Sequence, residues 1–302
     1  MQKPILSFSA ALAAAAVLIS TPVYADGRLE KIKSTGEIAL GHRDTSIPFS
    51  YLDDQQNAIG YSLDICYGVV EALKEKLEMD NIDIKYVPVT SSTRIPLVAN
   101  GTVDLNCGSS TNTIERQAQV AFAPTTFVTA TRFLAKKSSN LSTLDDFKGK
   151  TIVSTAGTSN IRWATAANDS QNLGMNIIPT KDHAEAFLTV ENGRALAFFM
   201  DDILLAGLVA TSRNPDDWMI SEEAYTIEPY AIMQPKDDPE FKKVVDEAII
   251  AMMKDGRLEE LYKKWFETPI PPKNVNLNLP MSDSLKRAIA EPSDSADPEN
   301  YK

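Results

Sequence analysis

Histidine and cysteine are scarce in this 302-residue chain, with two of each. His42 and His183 stand far apart, and no H-E-x-x-H or C-x-x-C spacing joins any of the four residues, so neither a metal site nor a cofactor is expected. Beyond residue 25 no stretch is apolar enough to span a bilayer. Basic residues are outnumbered, 30 Lys and Arg against 41 Asp and Glu, for a formal charge of −11. That balance speaks against nucleic acid or an anionic membrane surface as a partner. Cys66 and Cys107 suit either one disulfide in an oxidising compartment or two buried thiols, and the residues leave both open.

The first 25 residues are expected to be removed from the mature chain. Lys3 supplies a positive start, residues 5–19 are apolar and rich in alanine, and Val23-Tyr24-Ala25 ends on a small residue suited to signal-peptidase cleavage. Ser20, Thr21 and Pro22 interrupt the run too soon for a membrane span, although a retained anchor is the alternative. About 277 residues remain, enough for one large domain or two ordinary ones, and loss of Lys3 takes the formal charge from −11 to −12.

Turns from strand to helix that carry hydroxyls and arginines recur in the first half. Residues 102–107 alternate as a short half-buried strand does, and Gly108-Ser109-Ser110-Thr111-Asn112 leads from it into a helical segment. Asn112 with Glu115 has capping-box spacing, the small residues before it let backbone N–H groups approach an anion, and Arg116 lies where its guanidinium can fork onto a carboxylate. A capped helix with a solvated arginine is the plainer reading. Residues 37–43 read as a strand with Arg43 at its carboxyl end, where open α/β sheets place ligands. Residues 81–89 read as another strand, followed by Ser91 and Arg94 at the start of a helix that Asn100-Gly101 closes. Between them, Pro48-Phe49-Ser50-Tyr51 reads as part of a hairpin, and Gly60-Tyr61 starts a long amphipathic helix through Ile65, Val69, Val70, Leu73 and Leu77.

The alternation breaks at residues 122–126, and the extended run 127–135 reads as a crossing into a second lobe. There Thr155-Ala156-Gly157-Thr158-Ser159-Asn160 repeats the hydroxyl-and-glycine turn, and Asp182-His183-Ala184-Glu185 has capping-box spacing. Residues 195–200 form an apolar strand of the buried kind, ending in Asp201-Asp202. The first acid suits a ligand contact and the second a cap or structural partner. Residues 225–233 read as the return crossing, residues 239–254 and 257–266 as helices, and residues 268–280 as an extended strap. The acidic tail from about Ser282 is expected to be polar with loose ends.

The order of Gly41-His42-Arg43, Pro48-Phe49-Ser50-Tyr51, Gly60-Tyr61-Ser62, Arg94-Ile95-Pro96-Leu97, Cys107-Gly108-Ser109-Ser110-Thr111, Glu115-Arg116, Gly157-Thr158, Lys181-Asp182-His183, Phe199-Met200-Asp201-Asp202 and Lys264-Trp265-Phe266 resembles the type II periplasmic solute-binding proteins of the polar amino-acid family, in its acidic amino-acid branch. The resemblance covers essentially the whole mature chain. It implies an α/β fold of two lobes, each a mixed sheet flanked by helices, joined by two crossing strands. Lobe 1 would comprise residues 26–127 and 231–302, and lobe 2 residues 128–230. It further implies that Arg116 clamps a ligand α-carboxylate beside Ser109 and Thr111, and that Asp201 takes the α-ammonium. Arg43, Ser91, Arg94, Thr158, Ser159 and His183 would serve the remaining polar atoms and the side-chain carboxylate. The implied partners are L-glutamate or L-aspartate and an inner-membrane ABC permease, for a periplasmic protein expected to be monomeric.

A charge count supports an acidic ligand. Arg116 and Asp201 already satisfy the two poles of a neutral amino acid, so Arg43 and Arg94 are surplus. A buried guanidinium without a partner costs on the order of 3–5 kcal/mol, which calls for a second ligand carboxylate. The competing class is an enzyme on the same scaffold, similar to the dehydratases of cyclic carboxylates, with His183 and Glu185 as acid–base groups. A binding protein for another polar amino acid and a chemoreceptor-docking sensor are the remaining alternatives.

Overall fold

The computed structural model describes residues 27–302, so the expected export signal lies outside the described residues. Two five-stranded sheets organise the chain. The first runs in the order Asp83–Pro88, Glu37–His42, Leu105–Asn106, Met233–Gln234, Ala121–Phe122, with the first three strands parallel. The second runs Asn176–Thr180, Thr151–Thr155, Ala197–Asp201, Thr131–Lys136, Trp218–Ile220, again with three parallel strands followed by antiparallel ones. Two antiparallel crossings, Phe127–Thr129 and Glu228–Tyr230, connect the two sheets. The result is the expected two-lobe α/β fold.

Apolar periodicity accounts for the flanking helices. Tyr61–Leu77 buries Leu63, Ile65, Cys66, Val69, Val70 and Leu73. Opposite it, Pro239–Lys254 buries Phe241, Val244, Val245, Ala248, Ile249, Met252 and Met253. The second lobe closes over Phe133, Phe147, Ile152, Ala164 and Phe199. Phe49 packs within 5.1 Å of Phe127 and Tyr230, one on each crossing, and Phe127 stacks on Phe266 at 4.9 Å. Phe49 therefore braces the crossings, while Tyr51 of the same hairpin packs on Trp265 at 6.1 Å.

Four local expectations change. Asn112 is not a helix cap: Thr113 accepts the Arg116 N–H, while the Asn112 amide donates to the carbonyls of Asp294 and Ser295. Residues 103–107 are buried on both faces, because their strand lies in the middle of the sheet where both sides are covered. At Asp182 the box is half formed, since Asp182 accepts from the Glu185 amide but Glu185 accepts from Lys181. The tail is folded: Asp283–Ala290 is a helix that buries Leu285 and Ile289, and Tyr301 is buried, its hydroxyl accepting from Thr125 Oγ1 at 2.9 Å. Cys66 and Cys107 are disulfide-bonded. Among the described residues no helix is long and apolar enough to cross a membrane.

Candidate functional site

Six parallel strands, three in each lobe, direct their carboxyl ends at one seam. In the first lobe Arg43 follows Glu37–His42, Ser91 and Arg94 follow Asp83–Pro88, and Ser109 and Thr111 follow Leu105–Asn106. In the second, Thr158 and Ser159 follow Thr151–Thr155, His183 follows Asn176–Thr180, and Asp201 ends Ala197–Asp201. These are the positions where an open α/β sheet presents backbone N–H groups and loop side chains to a ligand.

Ser91, Arg94, Ser109, Thr111, Thr158, Ser159, His183 and Asp201 line one small space of about 10 Å³, together with Asn160, Met200 and Leu204. Arg43 and Arg116 stand immediately beside it. Arg43 reaches His183 Nε2 at 3.4 Å, while Arg116 donates to the Thr111 carbonyl at 2.7 Å and to the Gly157 carbonyl at 3.2 Å. Thr111 Oγ1 meets Ser159 Oγ at 3.2 Å. The Arg43–His183, Arg116–Gly157 and Thr111–Ser159 contacts join residues of opposite lobes, so the cleft is shut. A wider groove of about 480 Å³ beside the crossings is lined by Phe127, Tyr262, Leu277 and Leu279 and carries no such convergence of charge.

Three arginines are therefore buried close together. Arg43, Arg94 and Arg116 are each no more than 2% exposed. The Arg94 guanidinium donates to the Ser109 carbonyl at 2.7 Å and to Ser110 Oγ at 2.9 Å, which fixes its plane. The Arg43 amide is held by Ser50 Oγ at 2.8 Å. Each arginine nevertheless keeps one buried nitrogen without a partner: Nη1 of Arg43, Nε of Arg94 and Nε of Arg116. Burial lowers Arg43 and Arg116 to about 10 and Arg94 well below its ordinary value, to which its two arginine neighbours contribute. At neutral pH Arg43 and Arg116 stay cationic, and Asp201 and Glu228 are the buried carboxylates that act on the cluster.

Burial, then the fields of Arg43 and Arg94, drive His183 well below its ordinary value, so its ring is neutral. Nε2 accepts from Arg43, which leaves the proton on Nδ1 for Thr155 Oγ1 at 2.9 Å. Asp201 is the acceptor facing the cations. Its Oδ1 takes the Asn160 amide at 2.7 Å and its Oδ2 the Tyr230 hydroxyl. Burial, and then the nearby Glu228, raise it to about 8, against the two hydrogen bonds that lower it. Asp202 turns away, accepting from Thr129 Oγ1 and pairing with Arg132 at 3.1 Å.

Sequence reasoning missed Asn160, Tyr230 and Glu228. Asn160 lay inside the recognised hydroxyl turn and its amide was the available signal. Tyr230 and Glu228 lay in a segment read only as a crossing, with no local signal for contact with the strand end at Asp201.

A family model described as bacterial extracellular solute-binding proteins, family 3, matches residues 38–268. A Pseudomonas aeruginosa protein named L-glutamate/L-aspartate-binding protein is 52% identical over 285 residues, spanning 93% of this chain and 94% of its own. The Escherichia coli glutamate/aspartate import solute-binding protein is 46% identical over 272 residues, 90% of each chain. Among solved structures, an ancestral arginine-binding protein bound to arginine superposes with a TM-score of 0.70 at 24% identity, covering 76% of this chain and 98% of that one, a likeness of fold. With its two lobes meeting over a charged seam and its relatives matching nearly end to end, this chain belongs to the bacterial extracellular solute-binding proteins, family 3.

Proposed function

We propose that this protein captures L-glutamate or L-aspartate in the periplasm by closing its lobes and delivers it to an inner-membrane ABC permease. The observation that carries this reading is the charge set at the seam: three buried arginines, each with a nitrogen lacking a partner among the described residues, and the buried acceptor Asp201. A neutral amino acid offers one carboxylate to three guanidinium groups. An acidic one offers two, and its ammonium meets Asp201.

In the proposed assignment Arg116 takes the α-carboxylate with Ser109 and Thr111, and Asp201 takes the ammonium. Arg43 and Arg94, with Ser91, Thr158, Ser159 and the neutral His183, hold the side-chain carboxylate. The lobes divide at residues 127/128 and 230/231, and the protein acts as a monomer. Because the contacts come from both lobes, the ligand binds the closed form more tightly than the open one and shifts the population toward it. His183 is engaged on both ring nitrogens, which supports holding a ligand in place over acid–base chemistry.

Isothermal titration of the mature chain with glutamate, aspartate, glutamine and asparagine tests the reading. The two acids are expected to bind at least a hundredfold tighter than their amides, since hydrogen bonds to charged groups are worth roughly 1.5–3 kcal/mol each. Equal affinity for acid and amide would remove the basis of the assignment.

A further inference from the structure

Behind Asp201 stands a second buried carboxylate that the binding assignment does not use. Glu228, on the return crossing, is 3% exposed. Its oxygens accept from Ser159 Oγ at 2.7 Å, Thr226 Oγ1 at 2.8 Å and Thr131 Oγ1 at 3.4 Å, and among the described residues no cation forms a salt bridge with it. Three hydroxyl donors on one carboxyl group form the pattern that holds a carboxylate anion. Removing water from such a group without a counter-ion is costly, so its charge must be answered across the cleft.

The charges around it leave a definite sum. Just outside the cleft, Arg132 pairs with Asp202 at 3.1 Å and Arg162 with Glu115 at 3.3 Å, so these cancel. Buried inside remain three guanidinium groups, Arg43, Arg94 and Arg116, against Asp201 and Glu228, while Asp44 and Asp182 lie nearer solvent beside Arg43. His183 is neutral between its two partners. With all three guanidinium groups charged and Asp201 ionised, as the ligand ammonium of the proposed assignment keeps it, the closed cleft carries one net positive charge with Glu228 and two without it. Glutamate and aspartate each carry one net negative charge.

We propose that Glu228 is a specificity-determining positioning residue: from behind the cleft wall it sets the net charge of the closed site at +1, and so matches it to an amino acid of net charge −1. This rests on the function proposed above. Its field also reaches Asp201 and Arg116, the groups assigned to the two poles of the α-carbon. A buried charge in a water-poor cleft acts over several ångströms with little screening, so direct contact with the ligand is unnecessary.

The test is a ladder of three ligands of nearly one shape and different charge, glutarate (−2), glutamate (−1) and glutamine (0), titrated calorimetrically at pH 7.5 into the mature protein and into Glu228→Gln, weak ligands by displacement. The variant raises the cleft to +2, so glutarate is expected to gain at least tenfold relative to glutamate, and glutamate at least tenfold relative to glutamine. Glu228→Asp keeps the charge, and Thr226→Val removes a hydroxyl but no charge; both are expected to leave the two ratios within threefold of the unmutated protein, even where all affinities fall together. A merely structural role would lower all three ligands by one factor in Glu228→Gln. Ratios unchanged in that variant, or shifted equally in Glu228→Asp, would overturn the role of Glu228 alone. Failure of the unmutated protein to bind glutamate would overturn the function proposed above as well.

Discussion

At the scale of single residues, selectivity follows from which guanidinium atoms the fold has already used. Arg94 commits one terminal nitrogen to Ser109 and Ser110 and lines the small space with the rest of its head. Arg94→Ala is expected to weaken glutamate by about 10- to 150-fold, the range given by 1.5–3 kcal/mol for a hydrogen bond to a charged group, and glutamine by less than threefold. Calorimetric titration of both ligands checks the split, and equal losses would place Arg94 away from the side-chain carboxylate. Such residues were legible before any coordinates. Asp201 follows an apolar run directly, Arg43, Ser91, Arg94 and Ser109 lie in the turns just after one, and a polar group at a strand's carboxyl end already implies a position at the cleft. Glu228, Asn160 and Tyr230 were harder because their meaning lies in a meeting with Asp201 across up to 41 residues of chain. Nothing local announces such a meeting. Asn112 misled for a related reason: its spacing to Glu115 suits a cap, but a tail nearly two hundred residues away offers its amide better acceptors, and Thr113 takes the cap.

Elements meet across the seam with almost no spare room, and glycine marks where. Gly207, in the helix Asp202–Thr211, faces the loop before the Pro48 hairpin; a Cβ there would lie 2.7 Å from the carbonyl oxygen of Ile47. Gly157 has φ +79°, and a Cβ would meet the Ser92 backbone at 2.7 Å. Both clashes are with backbone of the opposite lobe, so they act on closure and leave each lobe's own core intact. Gly207→Ala is expected to lower glutamate affinity at least tenfold, and small-angle scattering at saturating glutamate is expected to show a smaller fall in radius of gyration than in the unmutated protein. A full contraction with unchanged affinity would show that the loop yields. The tail is an element whose role composition concealed. Its charges suggested a solvated end, yet the spacing of Leu285, Ala288 and Ile289 along Asp283–Ala290 buries one face, and Tyr301 pins the terminus to Thr125. Tyr301→Ala is expected to cost about 2–4 kcal/mol in urea unfolding, as removal of a buried aromatic side chain does, with glutamate affinity changed less than threefold.

For the molecule as a whole, the same buried charges decide when the lobes close. Bringing three arginines and Asp201 together out of water is unfavourable unless a ligand supplies the opposite charges, so desolvation is expected to resist closure of the ligand-free protein. That resistance depends on pH, with a sign that can be worked out. In the closed form burial lifts Asp201 to about 8 from an ordinary 3.8, and drives His183 well below its ordinary 6.5. With the lobes apart both groups meet water and titrate near their ordinary values. Closing without ligand therefore takes up a proton at Asp201 between pH 3.8 and about 8, and expels one from His183 below about 6.5. The two effects cancel below 6.5, which leaves net uptake of one proton between about 6.5 and 8. Lowering the pH across that window favours ligand-free closure by about 2 kcal/mol, roughly thirtyfold, and further acidification adds little. In the proposed assignment the ammonium of bound glutamate keeps Asp201 ionised, so the uptake is expected to disappear and affinity measured from the open form to stay nearly flat over the same window. Scattering or a distance probe between the lobes, recorded without ligand at pH 8, 7.2, 6.5 and 5.5, is expected to show contraction down to about 6.5 and then a plateau. In Asp201→Asn the contraction above pH 6.5 is lost, while the opposing effect of His183 remains: acidification below 6.5 then drives the lobes apart. A wild-type profile that continued to contract below 6.5 would show that His183 keeps its ordinary proton affinity in the closed state, against its burial between Arg43 and Thr155.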